Sequence, residues 1–136
     1  MELKLLNKKT KISPKNLFLI DGIGALCSAF FLGIIFTQFN KLVGIPISSL
    51  YVLASIPCFF ALLDAYFYFN SKRKSHINLR VIALFNFLYC IISLILVAIH
   101  RDKLTYLAWA YILLELSIIC VLIFCELKVA KQLSKT

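Results

Sequence analysis

The chain has 136 residues, 62% of them hydrophobic, with a mean hydropathy of +0.92 and a formal net charge of +9. Charged residues make up 15% of the sequence and fall in a few short stretches, too sparse to cover a water-soluble domain of this size with polar surface. That excludes a soluble globular domain and makes lipid the main solvent.

The excess of positive charge also argues against a nucleic-acid binder, because of where it lies. Lys4, Lys8, Lys9, Lys11 and Lys15 precede the first apolar run; Lys72, Arg73, Lys74 and Arg80 lie between the second and third; Lys128, Lys131 and Lys135 follow the fourth. The two remaining connections hold only Lys41, Arg101 and Lys103. Basic residues near the ends of membrane segments stay on the cytoplasmic side. The expectation is therefore a multi-pass protein of the plasma (inner) membrane with both termini inside, its basic face meeting anionic headgroups and no nucleic acid.

In chain order, residues 1–13 read as a basic cytoplasmic tail, 14–132 as one transmembrane domain and 133–136 as a second tail. Four runs, roughly 17–39, 47–69, 81–99 and 104–127, each meet the ~20-residue length that a ~30 Å hydrocarbon core demands. Ser13 and Pro14 supply an N-cap and a first helical position where the missing N–H costs nothing. The first run is too long for a signal-peptide core and lacks a small-residue cleavage site, so it is expected to be retained. Within it Ala25, Ala29 and Gly33 recur every fourth residue with Gly22 close to the same line, a small-residue face that marks it as an interior helix.

Gly44 and Pro46 break the chain before the second run, in which Pro57 is expected to kink the helix. That run ends in Tyr66-Phe67-Tyr68-Phe69, an aromatic belt at headgroup level, followed by a polar loop over Asn70–Asn78. A turn at His100–Lys103 leads to the fourth run, whose outer end carries Tyr106 and Trp109. Such short connections make sequential helices antiparallel neighbours, giving an all-α, up-down-up-down four-helix transmembrane bundle. The five cysteines, Cys27, Cys58, Cys90, Cys120 and Cys125, form no C-x-x-C pair; they read as small packing residues pointing away from the acids, and no metal site is expected.

Ionisable groups inside spans cost ~2.5–3.5 kcal/mol at mid-helix on insertion scales and point to function. Three lie well inside the runs, more than three residues from either end: Asp21, Asp64 and Glu115, with Asn86 as an uncharged companion. At ~1.5 Å per residue, Asp21, Asp64 and Asn86 share a layer ~7–9 Å inside the cytoplasmic boundary, and Glu115 lies near the midplane. No Lys, Arg or His occurs inside any of the four runs. Glu115 must therefore be protonated, hydrogen-bonded, or turned toward water or a cation.

Helical periodicity puts Asn86, Cys90, Ser93 and His100 on one line of the third helix, and Tyr111, Glu115, Leu122 and Glu126 on one face of the fourth. Turned inward, these faces enclose a polar axis. The proton, cation or ligand-binding candidates are Glu115, Asp21, Asp64, Asn86 and Tyr111. Two activities fit: a proton- or cation-linked small transporter or channel subunit using the deep glutamate, working as a homodimer or with another membrane protein, or a non-catalytic membrane assembly or lipid-binding module. No phosphate loop, H-E-x-x-H or nucleophile elbow occurs, and His76 and His100 lie in loops on opposite sides; no enzyme and no cofactor are expected.

Overall fold

The structure, a computed structural model, describes residues 13–70 and 75–135. The tail over 1–12 and the loop cations Lys72, Arg73 and Lys74 lie outside the described residues. Four long helices carry nearly all the rest: α1 Pro14–Gln38, α2 Ile47–Phe69, α3 Ser75–His100 and α4 Tyr106–Ser134, each long and apolar enough to cross a bilayer. In hydrocarbon no water can satisfy a free peptide group, and a helix solves that problem within its own segment. Large apolar side chains point outward from all four, among them Ile23, Leu62, Leu84 and Leu114. The chain is an all-α four-helix membrane bundle.

The helix ends follow the local chemistry. Ser13 is extended and Pro14 opens α1, with the N–H groups of Asn16 and Leu17 donating to the Ser13 carbonyl at 3.1 and 3.2 Å; the Ser13 hydroxyl makes no cap bond. α3 begins at Ser75, inside the stretch read as loop, because polar residues beyond the hydrocarbon can complete a helix whose apolar part starts later. Between Phe31 and Ile35, α1 widens into a π-helical turn in which the Phe36 N–H reaches back to the Phe31 carbonyl. Just past it the Thr37 hydroxyl donates to the Gly33 and Ile34 carbonyls, at 2.8 and 2.9 Å.

At the end away from the termini, a single helical turn over Asn40–Val43 stops at Gly44, whose φ of +84° is open to glycine at no steric cost. A Cβ there would also stand 1.8 Å from the Lys103 carbonyl oxygen. Thr105 fastens this turn to α4: its N–H donates to the Val43 carbonyl at 3.2 Å, its hydroxyl donates to the Leu42 carbonyl, and its Oγ1 accepts from the Ala108 N–H at 3.3 Å as the N-cap of α4.

The helices pack as two hairpins, α1 on α2 and α3 on α4, with lighter contacts closing the bundle. Between lipid-bathed helices close backbone approach replaces the hydrophobic effect as the cohesive force. The small-residue face of α1 provides it on one side: a Cβ added to Gly22 would come within 3.2 Å of the Asp64 Cβ, and one on Gly33 within 3.2 Å of the Ala54 Cβ. Few residues of α1 are buried, so it is not the interior helix that its small residues suggested. α3 is the most enclosed, burying Leu79, Ile82, Asn86, Tyr89, Ser93 and Val97.

Two apolar clusters form the core. One, at the terminal end, gathers Leu17, Phe18, Leu79, Ile82, Val129 and Ala130. The other includes Leu32, Leu50, Leu53, Tyr89, Val97 and Ile112. Along each helix the buried carboxyl and amide side chains fall between the two sets of buried apolar residues.

Candidate functional site

Four of the carboxyl groups are buried: Asp21 is 5% exposed, Asp64 1%, Glu115 8% and Glu126 1%. They form two stations. In the first, near the terminal end, the Asn86 amide donates to Asp21 Oδ2 at 3.1 Å and approaches Glu126 Oε1 at 3.5 Å. The Asp64 and Glu126 carboxylates flank Asp21. Asp21, Asp64 and Asn86 thus share a layer, as their depths implied.

That layer is short of donors. Both oxygens of Asp64 and Oε2 of Glu126 are buried without a hydrogen-bond partner among the described residues. Asp64 does face Asp21, yet a carboxylate against a carboxylate sets acceptor on acceptor, and only an added proton, water or cation can turn that approach into a bond. A buried oxygen left unpaired costs ~1–3 kcal/mol, more when charged.

Glu115 forms the second station. Tyr89 and Tyr111 donate their hydroxyls to Glu115 Oε1 at 3.3 and 3.4 Å, and Ser28 lies beside it. Tyr111 is positioned in turn by Phe36, edge-on at 4.6 Å between ring centroids, and by Phe31 at 6.0 Å. Glu115 and Glu126 lie three turns apart on α4, about 16 Å along its axis. Among the described residues no cation pairs with either station: the one ion pair there joins Arg101 and Asp102 at the surface, Arg80 is exposed, and His100 Nε2 meets Ser49 Oγ at 3.4 Å.

A cavity of about 250 Å³ connects the two stations. Asp21 and Asn86 line one part of it and Glu115, Tyr89, Tyr111 and Ser28 another, while Pro57, Phe60, Ile119 and Leu122 make its walls apolar. Pro57 lies within a continuous α2, buried, with its ring facing this space. Ala25 and Gly24 line it too, so the small face of α1 divides between packing and cavity; Ala29 is half-buried. Cys27, expected to point away from the acids, also lines the cavity, because its wall takes in the outer flank of α1. Cys27, Cys58 and Cys120 are exposed on the surface of the bundle, whereas Cys90 is buried and half-buried Cys125 packs against the terminal core cluster, so core packing describes those two.

Glu126 is the buried acid that sequence reading left off the candidate list, although it put the residue on the face of the fourth helix that turns inward. Its place two residues before Lys128 suggests a boundary side chain in reach of water. The signal that it turns inward is its alignment with Glu115 and Tyr111 on one face of α4. No family model, curated protein or solved structure matches the chain.

Proposed function

We propose that this membrane bundle is a proton- or cation-linked small transporter or channel subunit in which Glu115 takes up the ion at mid-membrane. The Asp21, Asp64, Asn86 and Glu126 layer exchanges that ion with the side bearing the termini. One observation carries the reading: Asp21 and Glu115, each more than nine-tenths buried, reach the same cavity from different helices with no cation among the described residues to neutralise them. A purely structural bundle has no use for carboxyl groups such as those of Asp64 and Glu126, whose buried oxygens lack donors among the described residues.

The basic termini put that side in the cytoplasm of a plasma-type membrane, against anionic headgroups. Four helices are fewer than most alternating-access folds employ, so the reading carries a homodimer with it. The test is proton flux into proteoliposomes, driven by a potential, for wild type and Glu115→Gln. Flux well above that of empty vesicles and falling about tenfold or more in the variant is expected; equal flux in both removes the proposal.

The second reading, a ligand- or lipid-binding module without transport, is favoured by the apolar walls of the cavity, which a bare ion path does not need.

A further inference from the structure

The cavity is much larger than an ion site requires. One water needs roughly 10–15 Å³ of such space, against about 250 Å³ here. Its walls are overwhelmingly apolar, and their polar groups are the carboxyls of Asp21 and Glu115, the hydroxyls of Ser28, Tyr89 and Tyr111, and the amide of Asn86, already spent on Asp21 and Glu126, with no cation in the lining. The tyrosine hydroxyls likewise already point at Glu115.

The opening lies toward lipid. Gly24, Cys27 and Phe31 on α1 and Leu114 and Ile118 on α4 both line the cavity and are exposed on the outer surface, so it opens sideways between two helices that touch only lightly. Phe31, at the head of the π-helical turn and stacked near Tyr111, stands on the rim. Widened turns of this kind are frequent at functional sites.

From the size, the apolar walls, the two carboxyl groups without a cation in the lining and the lateral mouth we infer that the cavity binds an amphiphilic organic amine entering from the bilayer. Its apolar body lies against Phe60, Ile119 and Leu122, and its ammonium group sits at Glu115, with Asp21 as the second negative group of the same cavity. The ammonium provides the positive charge that none of the residues lining the cavity carries. The inference rests on the reading of Asp21 and Glu115 as the ion-handling groups and adds the organic molecule that shares the space between them.

The test is equilibrium binding of phenylbutylamine to the full chain in nanodiscs, with phenylbutanol as a neutral counterpart of equal shape. Saturable binding of the amine is expected, roughly ten- to hundredfold weaker in Glu115→Gln and in Asp21→Asn, with the alcohol weak and unchanged. Gly24→Leu provides the steric arm: a Cβ on Gly24 meets nothing within 4 Å, so the side chain enters open space at the mouth and improves helix propensity. That variant keeps its helicity and thermal stability and loses amine binding.

Amine and alcohol binding equally, or amine binding unmoved by Glu115→Gln, would overturn the inference and mark an acyl chain as the occupant. A Gly24→Leu variant that changes oligomeric state and leaves amine affinity intact would also overturn it. Proton flux is read in the same samples. Flux that depends on Glu115 without amine binding removes the amine alone, whereas amine binding that depends on Glu115 without flux removes transport alone.

Discussion

The Asn86 side-chain amide donates to Asp21 Oδ2 at 3.1 Å, joining the most enclosed helix to the first one inside a layer that is otherwise made of acceptors. Asn86→Leu should therefore cost more than an ordinary polar deletion, about 1–3 kcal/mol, since it leaves Asp21 and Glu126 buried without that donor. Asp64→Asn should act in the opposite direction, because a second amide beside Asp21 supplies a hydrogen where two oxygens now have no partner. Thermal unfolding in detergent micelles checks both signs; a stabilised Asn86→Leu would contradict the donor shortage.

Tyr89 and Tyr111 converge on one oxygen of Glu115 from different helices. Each Tyr→Phe change should cost about 0.6 kcal/mol and no more than ~1.7, the range found for hydrogen bonds between membrane helices. Removing both should cost more than the two single losses together, because the second removal strips Glu115 Oε1 of its last tyrosine. A double-mutant cycle on thermal stability measures the difference, and strict additivity would count against a shared acceptor.

Gly22 and Gly24 are two residues apart but face different surroundings. Gly22→Leu must push the Asp64 side chain aside at the closest approach of α1 and α2, and a loss of ~2 kcal/mol or more is expected. Gly24→Leu should be neutral or slightly stabilising. Comparing the two melting temperatures in one detergent separates helix packing from cavity lining.

Thr105→Val removes the hydroxyl that caps α4 and fastens the turn over Asn40–Val43, and should cost ~1–2 kcal/mol. Gly44→Ala meets both a positive φ and the Lys103 carbonyl, so it should destabilise more than Thr105→Val. Protease resistance of the loops, followed against denaturant, reads this end of the bundle.

The two-sided charge bias predicts that a cysteine introduced at Lys103 reacts with an impermeant maleimide from outside intact cells and one at Ser134 does not, in a background with the native cysteines replaced. The reverse pattern would invert the orientation and with it the direction of ion exchange.

The spans were legible because hydrocarbon thickness sets one length and tolerates few charges, and Ser13, Pro14 and Gly44 carry local stereochemical signals that need no tertiary context. The shared layer of Asp21, Asp64 and Asn86 was legible too, since depth follows from rise per residue. Glu126 was legible only as a residue of the inward face, because nearness to Lys128 says nothing about whether a side chain at a helix end is buried. The rank of α1 was misread for a related reason: small residues announce a close neighbour but not how many neighbours there are. The cavity and the widened turn at Phe31–Ile35 depend on how four surfaces meet, and no single-helix pattern contains them.

That widened turn fixes the rotational phase of everything before it on α1. Tightening the stretch between Phe31 and Ile35 into regular α-helix with its residue count unchanged would swing Asp21 by up to about 100° relative to Phe36. The carboxyl group would leave Asn86 and face lipid, while composition and span length stayed almost the same. The meeting of Asp21 with its amide thus hinges on a single extra peptide unit more than two turns away.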